Sequence, residues 1–360
     1  MTLRPFLPAL AMLLLADPLA AQGPAAGPDR AIDARERGEV IDGVLRELDR
    51  NYVFPAKAKE MEAAIRGRAK RGEYDGVTSA RAFADSLTQH LQAVSRDKHL
   101  RVRYSAKPVR AESADGEPSA AQRQEMAAFG RLVNFGIEKA ERLAGNVGYL
   151  EVRSFGFDAA QADAAVAAAM NLLGNTDALI IDVRRNGGGD PAMVALLCGY
   201  LLGPGEILIN KFYWRPADRW DESRTPAAVS GRHYGTERPV YVLTSGNTFS
   251  GAEEFAYDIQ TQKRGEIVGA VTGGGAHPGG MQRATEHFGV WVPSGRAVNP
   301  VTNTNWEGTG VQPDVPVPAG DALRTAHLRA LERLLAASRD AEHRERLEQA
   351  ITELKKKATT

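Results

Sequence analysis

The chain has 360 residues, enough at roughly 150 residues per domain for about two domains, and its 43% hydrophobic content builds packed cores and excludes wholesale disorder. Forty-five basic residues balance forty-five acidic ones, so no global field draws the chain to nucleic acid, an anionic membrane or an acidic partner. A single cysteine, Cys198, excludes an internal disulfide and any site needing several thiolates; within MVALLCGYLL it reads as a small buried core residue.

In chain order, MTLRPFLPALAMLLLADPLAAQ opens with the cation Arg4, continues with an apolar stretch broken by Asp17 and ends on the small residues Ala20 and Ala21. This predicts a secretory signal over residues 1–21, too short in its apolar run to span a bilayer, and hence a secreted, periplasmic chain with no stable membrane insertion after its removal. The Gly/Ala/Pro-rich residues 22–35 read as a flexible linker. Three helical patterns follow: Val40, Val44, Leu45, Leu48 and Tyr52; then, after Pro55, Met61, Ala64 and Ile65; then Ala82, Phe83, Leu87, Leu91 and Val94. Together they predict a helical subdomain over residues 36–105, and the polar, small-residue-rich residues 106–130 predict a linker.

From residue 131 the pattern changes. Apolar runs rich in β-branched and aromatic residues read as strands at VGYLEVRSF, ALIIDVR, PVYVLTS, EIVGAVT and FGVWVPS, with helical segments near 158–173, 191–202 and 251–262. Their alternation predicts an α/β domain over residues 131–318 with a mixed, partly parallel sheet whose strand ends carry the functional loops. Leucines spaced along the tail predict amphipathic helices over 319–360.

Four segments carry the residue types that chemistry needs. TSGNTFSGAEEF places Ser250 at the start of a helix directly after a strand, where the helix dipole and the Gly251 amide stabilise a neighbouring oxyanion; Ser250 to Glu253 is equally a capping box. IIDVRRNGGGD ends a buried strand in consecutive glycines that aim backbone N–H groups at an anion, yet it lacks the phosphate-loop and dinucleotide fingerprints. SRDKHLRVRY carries His99, a candidate base for a serine nucleophile, with His277 of TGGGAHPGG as the alternative base. NPVTNTNWEGTGVQPDVPV supplies Glu307, a carboxylate able to orient a base.

The order and wording of DVRRNGGG, VLTSGNTFSGAEEFAYDIQ, VTGGGAHPGG and WEGTGVQPD, with DKHLRVRY ahead of them, resemble the S41 serine peptidases of the tail-specific protease group. The likeness spans roughly residues 36–318 and is best to the tricorn-core and interphotoreceptor retinoid-binding-protein-like branch. It implies Ser250 as nucleophile, His99 as base, Glu307 as acidic relay, and the amides of Gly251 and Gly189, with Gly188 as near alternative, as the oxyanion hole. A polypeptide substrate, no cofactor and no metal follow from the same resemblance, as does an alternative in which the fold carries an apolar ligand or peptide without catalysis. Two departures matter. Gly275 stands where the carboxyl-terminal processing branch has its lysine base, and Lys98 stands where tricorn has a serine, so a relay from Glu307 to His99 must pass through another residue or water. Residues 104–146 are too few for the PDZ domain that the family often carries, so none is expected.

Overall fold

The computed structural model describes residues 27–109 and 120–356. The expected signal, residues 22–26 of the first linker and residues 110–119 of the second lie outside the described residues.

Three helices open the fold: α1 (Ala34–Asn51), α2 (Pro55–Lys70) and α3 (Ala80–Ser95). Asp33 caps α1 by accepting from the Glu36 amide, Pro55 starts α2 where a missing N–H costs nothing, and Ser79 caps α3 through the Ala82 amide. The predicted apolar stripes pack together: Val40, Val44, Leu48, Tyr52, Met61, Ile65, Phe83, Leu87 and Leu91 form one core. The residues just before α1, expected as loose linker, are fastened instead: Ala31 bridges Ser79, the Ile32 amide donates to Thr78 O, and the Ile32 side chain is buried.

After β1 (Arg101–Tyr104) comes α4 (Ala120–Leu132), a helix within the stretch expected as linker. AAQRQEMAAF is polar, but Ala, Gln, Glu and Met are strong helix formers, and propensity overrode the reading from polarity. The α/β part then runs through β2 (Ile137–Leu143), β3 (Val147–Val152), α5 (Ala159–Leu173), β4 (Ala178–Asp182), α6 (Pro191–Leu202), β5 (Leu208–Trp214), β6 (Arg219–Arg224), β7 (Val240–Thr244), α7 (Gly251–Thr261) and β8 (Glu266–Gly269). It closes with β9 (Gly279–Arg283), β10 (Phe288–Pro293), β11 (Gly295–Val298), β12 (Val315–Pro316), α8 (Ala322–Ala337) and α9 (Ala341–Lys356).

Six strands form the main sheet in the order β12-β8-β7-β4-β3-β2, parallel throughout except where β2 pairs antiparallel with β3. Strand alternation sends Leu150, Val152, Leu179, Ile181, Val240 and Val242 to the face covered by α5, α6 and α7. Val147, Tyr149, Ile180, Tyr241 and Leu243 face Ala322, Ala326, Ala330 and Leu331 of α8 on the other side, with Leu347 of α9 behind. The apolar stripe of the C-terminal helices is thus spent inside the chain. Burial on both faces explains why these strands read as continuous apolar runs.

FGVWVPS is the expected strand β10, but its partners are not those of the main sheet. It pairs antiparallel with β1 and β9, and Phe288, Val290 and Val292 join the core of α1–α3. Period-two alternation identifies a strand without naming its neighbour, so the boundary drawn near residue 130 is crossed by a later segment. A third sheet, β11-β5-β6, went unread in the sequence.

Two acids of α7, Glu254 and Asp258, lie one turn apart beneath α6, almost wholly buried, and Asn299 donates to Asp258. Burial pushes the Glu254 carboxyl up to about 8, and burial plus Glu254 pushes Asp258 well above the usual range. A carboxyl whose folded value is raised contributes its full stability below the unfolded value near 4.5 and loses it as pH rises through the folded one. Stability should therefore fall between about pH 5 and 8, by up to about 1.4 kcal/mol per pH unit for each group. Thermal unfolding followed across that window should show a shallower decline in Glu254→Gln than in wild type; parallel curves would contradict this.

Candidate active site

Beyond the carboxyl end of β7 the chain turns sharply into α7, and the turn is tied to the neighbouring strand end. Thr248 Oγ1 donates to Val183 O (2.9 Å), Ser245 Oγ to Arg184 O (2.6 Å), and the Phe249 amide to Asn186 O (3.1 Å). Within this frame Ser250 adopts φ 54°, ψ −124°, a conformation that costs a non-glycine residue on the order of 1–3 kcal/mol and persists only when its surroundings impose it. The Glu253 carboxylate accepts the Ser250 amide (2.9 Å), while the Glu253 amide donates to the Ser250 carbonyl (2.8 Å). Ser250 and Glu253 thereby pair as a capping box at the start of α7.

Glu253 is fully buried and also accepts from Thr272 Oγ1, Gly274 N (2.6 Å) and Gly275 N (2.8 Å). Burial raises its carboxyl above the ordinary value, and these donors oppose that rise. One carboxylate thereby joins the serine turn to the loop TGGGAHPGG.

The glycine loop after β4 lies against the start of α7. Gly188 (φ 101°) and Gly189 (φ 147°) both require glycine. A methyl group at 188 would come within 2.7 Å of Gly251 N, Phe249 O and Ser250 Cβ, and one at 189 within 2.1 Å of the backbone at Phe155 and Gly156. The Gly188 amide is engaged by Asn186 Oδ1 (2.8 Å), which disfavours it as an oxyanion donor. Its carbonyl accepts from Phe155 N, and Asp190 N donates back to Phe155 O. Among the described residues the amides of Gly189 and Gly251 have no acceptor, and Gly189 N lies 3.1 Å from where a Cβ on Gly251 would stand. Two free amides therefore flank Ser250, as an oxyanion hole requires.

His99 enters from the helical side, between α3 and β1. Its amide donates to Asp97 Oδ1 (3.0 Å), and Lys98 Nζ donates to Gly273 O (2.6 Å), tying this loop to TGGGAHPGG. The imidazole packs on the ring of Phe249, the residue before Ser250, with centroids 4.5 Å apart. Both ring nitrogens are buried without a partner, and burial drives the imidazole down to about 4, with Asp97 opposing. No hydrogen bond among the described residues joins the Ser250 hydroxyl to either His99 or His277. A Cβ at Gly275 would lie 2.3 Å from Phe249 Cζ and 2.7 Å from His99 Cε1, so the place expected for a lysine in the carboxyl-terminal processing branch is filled here by the His99–Phe249 pair.

Behind His99 lies an acid–imidazole cluster. His277 Nδ1 is 2.9 Å from Asp97 Oδ2 and 3.5 Å from Glu307 Oε2, and Tyr52 OH donates to Asp97 Oδ2 (3.3 Å). Glu307 Oε2 accepts from Ala276 N, and Trp306 Nε1 donates to Gly275 O (2.8 Å). Burial and the nearby Asp97 push Glu307 up to about 7. His277, weighed above as the alternative base, is thus held by two acids, whereas the His99 nitrogens are unengaged. Asp97 and Tyr52 escaped the sequence reading. Asp97 carried a signal, an acid two residues before a candidate base, but Tyr52 read as an ordinary core position of α1. Cys198 is buried, with its thiol pushed up by desolvation, and takes no part.

Two family models match consecutive parts of the chain: the N-terminal domain of Peptidase_S41 in eukaryotic IRBP over residues 34–137, and peptidase family S41 over residues 146–317. Among solved structures, the chain is similar to a candidate peptidase from Parabacteroides merdae (21% identity, TM-score 0.53, covering 78% of this chain and 90% of that one). It is similar also to a lipoprotein from Streptococcus agalactiae (13% identity, TM-score 0.53, 82% and 96% covered). At such identities these structures show the fold. The two family models follow one another in chain order and together span both the His99 loop and the Ser250 turn, and on that ground the chain belongs to peptidase family S41.

Proposed function

We propose that the chain is a serine-type peptidase that hydrolyses peptide bonds of extended polypeptides through an acyl-enzyme on Ser250, with His99 as the base. The observation that carries this reading is a strained serine between the free amides of Gly189 and Gly251, with an imidazole of unpartnered nitrogens packed on the adjacent Phe249. A peptide carbonyl seated on the two amides is attacked by the Ser250 hydroxyl oxygen, whose proton passes to His99. The tetrahedral anion collapses as His99 returns that proton to the leaving amine, and water, deprotonated by His99 in turn, releases the acyl group. Buried His99 is held neutral, hence ready to accept a proton, and the developing oxyanion together with Asp97 favours the imidazolium once formed. Asp97, Glu307 and His277 lie behind it, and the 4.0 Å between Asp97 Oδ1 and His99 Nδ1 has to close for a relay from Glu307 to reach the base. Action outside the cytoplasm, in the periplasm, accompanies this reading through the N-terminal signal pattern.

An active-site-directed fluorophosphonate should label the wild type and not Ser250→Ala, and His99→Gln should slow labelling by on the order of 10²–10⁴-fold. A folded wild type that takes no label and instead binds apolar ligands would support carriage over catalysis. Because His99 titrates near 4, kcat/KM should hold as pH falls through 6.5 and drop only toward about 4. An acid limb at the ordinary histidine value would remove His99 from the role of base. Ser250→Gly relieves the backbone strain, so it should abolish labelling while raising stability by about 1 kcal/mol, read from denaturant midpoints. A less stable glycine variant would show that the turn is not strained.

A further inference from the structure

We propose that Asp97, His99 and Glu307 form a Zn²⁺ site whose occupation switches the enzyme off reversibly. One donor atom from each of the three lies within 4.8 Å of the other two, and Asp97 Oδ1 is 4.0 Å from His99 Nδ1. The His99 side chain is only 10% exposed, and neither of its nitrogens has a partner; Glu307 Oε1 is buried without one as well. Buried orphans of this kind need an explanation, since a polar atom stripped of water and given no partner destabilises the fold. These belong to an imidazole and a carboxyl group that lie within 4.8 Å of each other and of Asp97, a nitrogen and oxygen donor mixture that suits zinc.

The other three carboxylate oxygens are held by their surroundings, Asp97 Oδ1 by the His99 amide. His277 Nδ1 and Tyr52 OH engage Asp97 Oδ2, and Ala276 N engages Glu307 Oε2, with His277 Nδ1 near it as well. Those partners fix the orientation of both carboxyl groups, the supporting role that outer hydrogen bonds play around metals. Two acids facing each other in a buried pocket also repel, and a divalent cation removes that repulsion where a shared proton only reduces it. Zinc–ligand bonds of about 2.0–2.2 Å need donors about 3.3 Å apart, so the three side chains would draw in by about 1 Å. His99 has no side-chain hydrogen bond to break in doing so. Binding takes up the His99 lone pair that would otherwise accept the serine proton.

Metal binding at this site does not depend on which residue is the nucleophile, whereas the loss of activity on occupation rests on the hydrolase reading proposed above. Calorimetric titration of the full chain with ZnCl₂ should show one saturable site per chain, weakened about tenfold or more in His99→Gln and in Glu307→Gln and unchanged in His343→Gln. In the wild type, Co²⁺ should perturb the ring proton resonances of His99 and His277 before those of the other histidines, a readout that does not depend on any variant folding. Zn²⁺ should also suppress serine-probe labelling, and EDTA should restore it. Absence of saturable Zn²⁺ uptake, uptake that persists in a folded His99→Gln, or Co²⁺ effects confined to other histidines would each overturn the proposal.

Discussion

The arrangement depends on the Glu253 carboxylate. Placed in the first turn of α7 with no solvent exposure, it collects the amides of Ser250, Gly274 and Gly275 and the hydroxyl of Thr272. A buried carboxylate is costly unless its lone pairs are filled, and these donors fill them; the positive end of the helix dipole adds to the compensation. The same bonds hold Ser250 in a backbone conformation it would otherwise avoid and fix the loop against which His99 and Phe249 pack. An element that reads from sequence as a helix cap therefore couples the nucleophile's geometry to its surroundings.

Around that anchor, groups from both halves of the chain converge. The parallel sheet delivers the glycine loop from β4 and the serine turn from β7 to neighbouring strand ends, and their close contact leaves no room for a side chain at position 188, while the backbone at Phe155 and Gly156 leaves none at 189. The helical half brings Asp97, Lys98 and His99, and β9 and β10 return from the α/β half to complete its core. The contact of Lys98 with Gly273 crosses between the two.

Much of this was legible in the sequence, and what was missed has physical causes. The main strands stood out because both their faces are buried, and α5, α6 and α7 because their stripes and caps agree. The strands β5, β6 and β11 were missed because residues such as Arg219, Asp221 and Glu222 break any apolar run, and β2, with Glu138, Lys139 and Glu141, for the same reason. Ser250, Gly251 and the glycine run could be read together because they share local turn chemistry. Asp97 and Tyr52 matter only through a contact made 45 residues apart, and the Asp97–His277 pair spans 180, so neither spacing nor periodicity reveals them. The occupied amide of Gly188 was likewise invisible until Asn186 folded back on it.

A crystal structure of the wild type bearing a phosphonate on the residue-250 oxygen would test the central claim most directly. The account predicts one phosphonate oxygen about 2.7–3.1 Å from both Gly189 N and Gly251 N, with a ring nitrogen of His99 within hydrogen-bond reach of the adduct. An adduct oxygen directed away from those amides, or one met by His277 while His99 stays apart, would contradict it.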